Sequence, residues 1–469
     1  MKEYSITDIR TMMREGRLNT TTLVRSYLEN IACKDVHLNS IADLSMTALA
    51  DARRLDQEYN ENGPRSPLHG VPVLIKDNIF TADGLRTSAN AQVLKAYRAP
   101  YDATVVKRLR DAGCVILGKA NCSEFAYFMS KYPHMPSGFG SLHGQVVHPY
   151  NPRLDPLGSS TGSAVAVAAN LATVSIGTET NGSLMSPAWA NSIVSIKPTL
   201  GSVSRHGIIP VSSMQDMAGP MSRTVEDSAL VLDAIKGLDD ADPSTVHADH
   251  ETESYADACH VSPKGLKVAV VTFENRSHSD EEKRALREAA MVLEQGGVTC
   301  ETATLKDELG SNYTTLIHEF KRDFNTFLGD RKNRFPVETL LDIIRFNRRK
   351  PSLRMPYGQC TFHAAQATSG TLKEPAYLQA RSALDSCIER FLDWMEKASY
   401  DAMVTTSWSS HAPIGGLPSI IVPAKALREG LPVSVMFIGN KWTEKKLFRL
   451  AAHYERKTGH RIPPIIGEC

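Results

Sequence analysis

A chain of 469 residues with 42% hydrophobic and 22% charged content has the makeup of an ordinary globular protein able to bury a large core. A formal net charge of +1 excludes an electrostatic case for nucleic acid or an anionic membrane, and no run of about 18 apolar residues offers a membrane span. The eight cysteines are scattered without a Cys-x-x-Cys pair, which argues against a zinc site and, with an N-terminus lacking an apolar signal segment, predicts a reduced protein of the cytoplasm.

In chain order, residues 5–16 predict a helix with a capping-box-like start at Ser5 and Asp8 and a stop at Gly16. A second, capped by Thr20 or Thr21, runs through Ala32 with Leu23, Val24, Tyr27, Leu28 and Ile31 on one face. A third spans about Ser45 to Tyr59, stopped by Asn62-Gly63-Pro64. This helical entry reads as a layer on the main body. Val71–Ile75 is a buried strand with Lys76-Asp77-Asn78 at its end. Helix Ala103–Ala112 then leads into Cys114–Gly118, a βα alternation typical of α/β architecture. Residues 120–156 form a long irregular segment, and such loops carry function or wall a pocket.

The central stretch opens with a hydroxyl-rich turn, Gly158-Ser159-Ser160-Thr161-Gly162-Ser163. An alanine-rich run, a strand at Thr173–Gly177 and a second small-residue turn, Thr180-Asn181-Gly182-Ser183, follow. The two turns flank one helix–strand unit, so folding can bring Ser159 close to Ser183. Ile193–Thr199 predicts another buried strand, 201–223 is turn-rich, 227–238 is helical and 239–262 is a polar connection. Leu266–Val271, Asp280–Gln295 and Val298–Leu305 make a strand–helix–strand passage. Residues 311–350 are helical with a solvated basic end, and Glu374–Ala398 is a long amphipathic helix. The tail returns to strands at Ala402–Thr405, Ser419–Pro423 and Val433–Ile438, then a last helix, Glu444–Lys457. No internal repeat is present.

The first turn literally satisfies Gly-x-Ser-x-Gly, with Ser160 at its centre. A nucleophile elbow needs a strand running directly into it, and Tyr150-Asn151-Pro152-Arg153-Leu154-Asp155-Pro156 is none. A phosphate cradle would need a following Gly-Lys-Ser/Thr, which is absent. Lys76 is the better lead. A lone lysine is ordinarily a solvated surface charge, but this one follows an apolar run and opens a turn. Enclosure there would lower its pKa and make it a usable base.

Lys76, Ser159 and Ser183 together resemble the triad of the amidase signature family. Leu68–Ile79 matches the family's lysine segment, and Gly118-Lys119-Ala120-Asn121-Cys122-Ser123-Glu124-Phe125-Ala126 the next block. The Gly-Ser-Ser turn, Gly177-Thr178-Glu179-Thr180-Asn181-Gly182-Ser183, Ile196-Lys197-Pro198-Thr199, Gly201–Arg223, Gly416-Leu417-Pro418-Ser419 and Gly430-Leu431-Pro432-Val433 follow in order. The set covers most of the chain and is most similar to the branch of peptide amidases and fungal amidase-like proteins.

The resemblance implies an α/β fold, a central mixed β-sheet covered by helices on both faces. It implies one amidase domain over 1–469, comprising a helical layer (1–60), a signature core (61–223), a variable substrate-side region (239–400) and a C-terminal return (401–469). The implied activity is hydrolysis of a carboxylic amide, in a small molecule or peptide, without metal, organic cofactor or obligate protein partner. Carried over by position, Lys76 is the base, Ser159 the relay on a cis peptide bond and Ser183 the acyl-forming nucleophile. The N–H groups of Thr180, Asn181, Gly182 and Ser183 form the oxyanion hole. Asn181 stands where Gly or Asp is usual, a position where tolerance of left-handed backbone angles would help. Met185 replaces a common Arg, and Thr87–Ala91 departs from the family pattern. The substrate pocket is expected from 122–145 and 311–370, with Phe125, Tyr127, Met129 and Met135 as candidates. The rivals are an acyltransferase, an amidotransferase-like subunit releasing ammonia from glutamine for a partner, and a silent scaffold, which an intact triad argues against.

Overall fold

Short apolar runs bounded by turns build one sheet of 11 strands. These are β1 (Ile41–Leu44), β2 (Pro72–Lys76), β3 (Val115–Ala120), β4 (Val174–Glu179), β5 (Val194–Lys197) and β6 (Met217–Ser222). The rest are β7 (Lys267–Phe273), β8 (Thr299–Leu305), β9 (Ala402–Thr405), β10 (Ser419–Arg428) and β11 (Leu431–Gly439). Their order across the sheet is β1-β3-β2-β4-β6-β5-β10-β11-β9-β7-β8. Two parallel blocks, β3-β2-β4 and β9-β7-β8, are joined by antiparallel strands, so the sheet is mixed. The computed structural model describes residues 2–130, 135–248, 254–306, 308–428 and 431–467. Residues 131–134 of the expected pocket loop, 249–253 of the expected polar connection and Gly430 of the tail motif lie outside these.

Strand β2 shows why the sheet needs cover on both faces. Val73 and Ile75 join the larger core, with Val225, Ala229 and Leu232 of helix Val225–Ile235. Leu74 points the other way, into a cluster with Leu23, Val24 and Tyr27 of helix Thr20–Leu38 and with Val165 and Ala166 of helix Thr161–Ala168. The second helix of the entry therefore packs on this face. Ser5 and Asp8 form a full capping box on helix Ile6–Arg14. The next helix is capped by Asn19, not by Thr20 or Thr21. Asn19 Oδ1 accepts the Thr22 N–H at 2.8 Å, and the helix continues past Ala32 until Asn39 turns left-handed.

Elements outside the sequence expectations include β1, β6 and a helix at Met185–Ala190. Strand β6 carries Gly219 and Pro220, which argue against a central strand. The ladder to β5 accommodates them by covering only Met221 and Ser222 and stopping at Pro220, which has no N–H to give. The cysteine expectation also needs correction. Cys114, Cys122, Cys259, Cys300, Cys360 and Cys387 are free thiols, but Cys33 is disulfide-bonded. Spacing along a chain does not reveal which thiols meet in space. No helix among the described residues is long and apolar enough to cross a membrane.

Candidate active site

Parallel pairing of β2 with β4 aligns Ile75 with Ile176, so Lys76, the last residue of β2, comes beside Gly177 and Thr178 near the end of β4. Lys76 is fully buried. Its Nζ lies 2.8 Å from Ser159 Oγ, 3.0 Å from Ser160 Oγ and 2.9 Å from Thr178 Oγ1, with Thr178 O at 3.3 Å. Burial lowers its pKa from 10.5 to about 8; Cys122, Asp216 and Glu179 oppose that shift without cancelling it.

The Gly158–Ser159 peptide is cis. Ser159 is buried, and its carbonyl accepts the Ser123 N–H at 3.2 Å, which ties the turn to the 118–126 block. Ser160 pins this turn to the neighbouring strand. Its Oγ donates to Thr178 O at 2.9 Å and accepts the Thr178 N–H at 3.1 Å, while its N–H reaches Ser183 O at 3.2 Å. Gly177 permits this approach, because a Cβ there would lie 2.9 Å from Ser160 Cβ. Thr178 Oγ1 also accepts from Asn78 Nδ2 at 3.1 Å. Sequence reasoning missed Thr178, since a threonine inside a strand is an ordinary β-former.

Ser183 follows Gly182, the left-handed residue of its turn at φ 95°. Asn181 is not left-handed, so the tolerance expected of it is unused. A Cβ on Gly182 would meet the Trp408 ring at 3.1 Å, which makes Trp408 a wall of the site that the sequence did not disclose. Buried Glu179 curls the chain after Ser183. Its Oε2 accepts the N–H groups of Leu184 at 2.8 Å and Met185 at 3.1 Å. Met185 itself is buried among Leu184, Ala188 and Ile193, apolar surroundings that suit methionine in place of arginine. Among the described residues, no acceptor meets the backbone N–H of Thr180, Asn181, Gly182 or Ser183, and no hydrogen bond joins Ser159 Oγ to Ser183 Oγ. Four successive N–H groups are thus free for a ligand anion.

The departures at 87–91 form a buried wrap on Asp77. That carboxylate accepts the N–H groups of Ser88 and Asn90 at 3.1 Å each, as well as the Ser88 hydroxyl. Of the pocket candidates, Phe125, Met129 and Met135 are buried in the larger core, with Tyr127 partly buried against it. Left-handed angles at Phe125, Ala126 and Tyr127 turn the Phe125 ring onto Phe324 and Phe362. Tyr127 donates to Met135 O at 2.5 Å. Among the described residues, no group of three or more His, Cys, Asp or Glu is placed to hold a metal.

Comparison with known proteins gives the site a context. The Amidase family model matches residues 22–414. A probable amidase of Arabidopsis thaliana is 38% identical, over 99% of this chain and 92% of its own. The crystal structure of native peptide amidase from Stenotrophomonas maltophilia superposes with a TM-score of 0.91 at 37% identity, covering 99% of both chains. A glutamyl-tRNA(Gln) amidotransferase subunit from Exiguobacterium is 30% identical over 97% of this chain and 98% of its own.

Proposed function

The chain belongs to the amidase family, and on that premise we propose that its hydrolysis of carboxylic amides runs through Ser183, with Ser159 as proton relay and Lys76 as base. The observation that carries this reading is the 2.8 Å contact between buried Lys76 Nζ and Ser159 Oγ. A neutral amine has two hydrogens and a lone pair. Donation to Ser160 Oγ and Thr178 Oγ1 occupies the hydrogens and leaves the lone pair for the Ser159 hydroxyl proton.

Ser183 Oγ bonds to the substrate carbonyl carbon as its proton passes to Ser159 and the Ser159 proton passes to Lys76. The carbonyl electron pair moves onto oxygen, which the N–H groups of 180–183 stabilise. The proton returns through Ser159 to the amine nitrogen, and the C–N bond breaks. Water then enters by the same relay, releases the acid and restores the Ser183 hydroxyl.

The substrate class we propose is a peptide-like amide. The peptide amidase neighbour at TM-score 0.91 supports this over the amidotransferase reading, whose solved structure from Thermotoga maritima superposes at 0.75. A panel of peptide and small amides, followed by ammonia or amine release, tests it. Turnover confined to glutamine, with a co-purifying partner, would reverse the choice. We also place the protein in the cytoplasm. The free thiols favour that compartment, and the Cys33 disulfide is the observation against it.

A further inference from the structure

One chain of hydrogen bonds leaves the side chain of Asn181 and returns to the carbonyl on the other side of its own peptide bond. Ser410 Oγ donates to Asn181 Oδ1 at 3.2 Å, and Asn181 Nδ2 donates to Asn312 Oδ1 at 3.2 Å. Asn312 Nδ2 donates to Gln215 Oε1 at 3.3 Å, and Gln215 Nε2 donates to Thr180 O at 3.0 Å. We propose that this chain, Ser410–Asn181–Asn312–Gln215–Thr180, is the device that positions the oxyanion loop. The inference rests on the proposed role of residues 180–183 as that loop.

The direction of the chain follows from its end. A backbone carbonyl can only accept, so Gln215 must turn its amide nitrogen to Thr180 O and its oxygen to Asn312. Asn312 must then present oxygen to Asn181, whose own oxygen is left for the Ser410 hydroxyl. Every link has a donor facing an acceptor. Asn181 has to donate on one side and accept on the other, which an ionised aspartate cannot do and a glycine cannot attempt.

The consequence lies in one peptide plane. The carbonyl of Thr180 and the N–H of Asn181 belong to the same trans unit and point in opposite directions. Holding that carbonyl on Gln215 fixes the Asn181 N–H on the other side, among the four N–H groups without an acceptor. Acceptance of a hydrogen bond by the carbonyl also polarises the peptide and strengthens that N–H as a donor. No regular secondary structure holds residues 180–183, and the flanking restraints act elsewhere. Thr180 Oγ1 is held by Asp216 Oδ1 at 2.5 Å, and Glu179 grips the N–H groups after Ser183. Gln215 alone among the described residues restrains the Thr180 carbonyl. Buried Gln215 and Asn312 come from separate segments, the second heading helix Tyr313–Gly329, so only the fold assembles the chain.

Gln215→Glu keeps the size of the side chain and its acceptor for Asn312 but removes the donor to Thr180. Purified variant and wild type are compared on matched peptide amide and ester substrates across pH, with thermal unfolding as the check on folding. Loss of one oxyanion donor costs about 10²–10³-fold, so a misaimed one should lower kcat by about 10–10²-fold. KM should change little, amide and ester should fall by the same factor, and the midpoint of the pH profile should not move. A peptide aldehyde, which forms an oxyanion on Ser183, should bind more weakly by that factor, while the product acid binds as before. Asn312→Ala cuts the same chain at another link, and Gln215→Glu with Asn312→Ala should be no worse than the more damaging single change. That variant carries the test if Gln215→Glu fails to fold. A folded Gln215→Glu with unimpaired kcat, a loss in KM alone, or effects that multiply in the double variant would overturn the proposal. Wild-type protein that binds no aldehyde would overturn the site reading with it; aldehyde binding equal in wild type and variant overturns this proposal alone.

Discussion

If Lys76 is the base, its neutral form sets the rate, and burial makes that form available. At a pKa of about 8, about one lysine in ten is neutral at pH 7; at the ordinary 10.5 the fraction is about one in three thousand. The active form is therefore enriched about 300-fold by desolvation, and kcat/KM should rise about tenfold per pH unit up to about 8, then level. The sign follows from the direction of the shift: a lowered pKa moves the activating limb down from the alkaline range, and protonation below it switches the enzyme off. Lys76→Ala should abolish that limb. It should also harm amides more than esters, because an amine must be protonated to leave whereas an alkoxide departs with little help. The assay is product release from an amide and an ester of one acyl group, from about pH 6 to about 9.5 so that the limb is bracketed. General acid–base assistance is worth about 10²–10⁴-fold, so even part of it appears as a difference between the two substrates. A flat profile, or one common factor for both substrates in a folded variant, would refute the relay.

A fluorophosphonate probe should label the protein on Ser183, as peptide mapping would show; an adduct on Ser160 would contradict its role as a pin to Thr178. Gly182→Ala forces a Cβ onto a residue at φ 95° and against Trp408, so kcat/KM should fall by at least about 10²-fold while helix content by circular dichroism is retained; near-normal turnover would show that the loop is not the oxyanion hole. Chelators should leave activity unchanged, and a loss restored by one divalent metal would reveal a site among residues not recognised as ligands.

Much of the site can be read from residues because its chemistry sits beside strong local signals. Lys76 stands at the end of an apolar run, and the two serine turns bracket a short helix–strand unit whose length brings them together. The supporting residues carry no such signal. Thr178 is a β-former in a strand, Gln215 lies in a turn-rich segment, and Asn312, Trp408 and Ser410 come from regions with no pattern tying them to position 180. Strand β6 is hidden by Pro220, whose missing N–H signals an interruption until the short partner ladder is known. The pocket expectation is limited in the same way. Phe125 reads as a pocket aromatic beside a motif, but left-handed angles at 125–127, which no residue type there announces, direct its ring into the core.

Burial alone does not choose the base, because Lys76, Lys119 and Lys197 are all enclosed and all lowered to about 8. What separates them is the neighbour of each Nζ. Lys197 donates to Pro198 O, and a carbonyl has no proton to return. Lys119 bonds Ile79 O and Thr87 Oγ1, and so braces the turn that follows Lys76. Lys76 alone faces two serine hydroxyls, and Ser160 already directs its hydrogen to Thr178 O. Of the two serines, Ser159 is left as the one whose proton can reach nitrogen. That geometry depends on register. Lys76 shares a strand face with Leu74, which packs in one cluster with Val165 and Ala166 of the helix whose N-terminus carries Ser159 and Ser160. A slip of one residue in β2 would turn the ammonium to the opposite face, still buried but away from both serines. The role proposed for this lysine therefore rests on the parallel pairing that aligns Ile75 with Ile176, and not on the depressed pKa it shares with the other two.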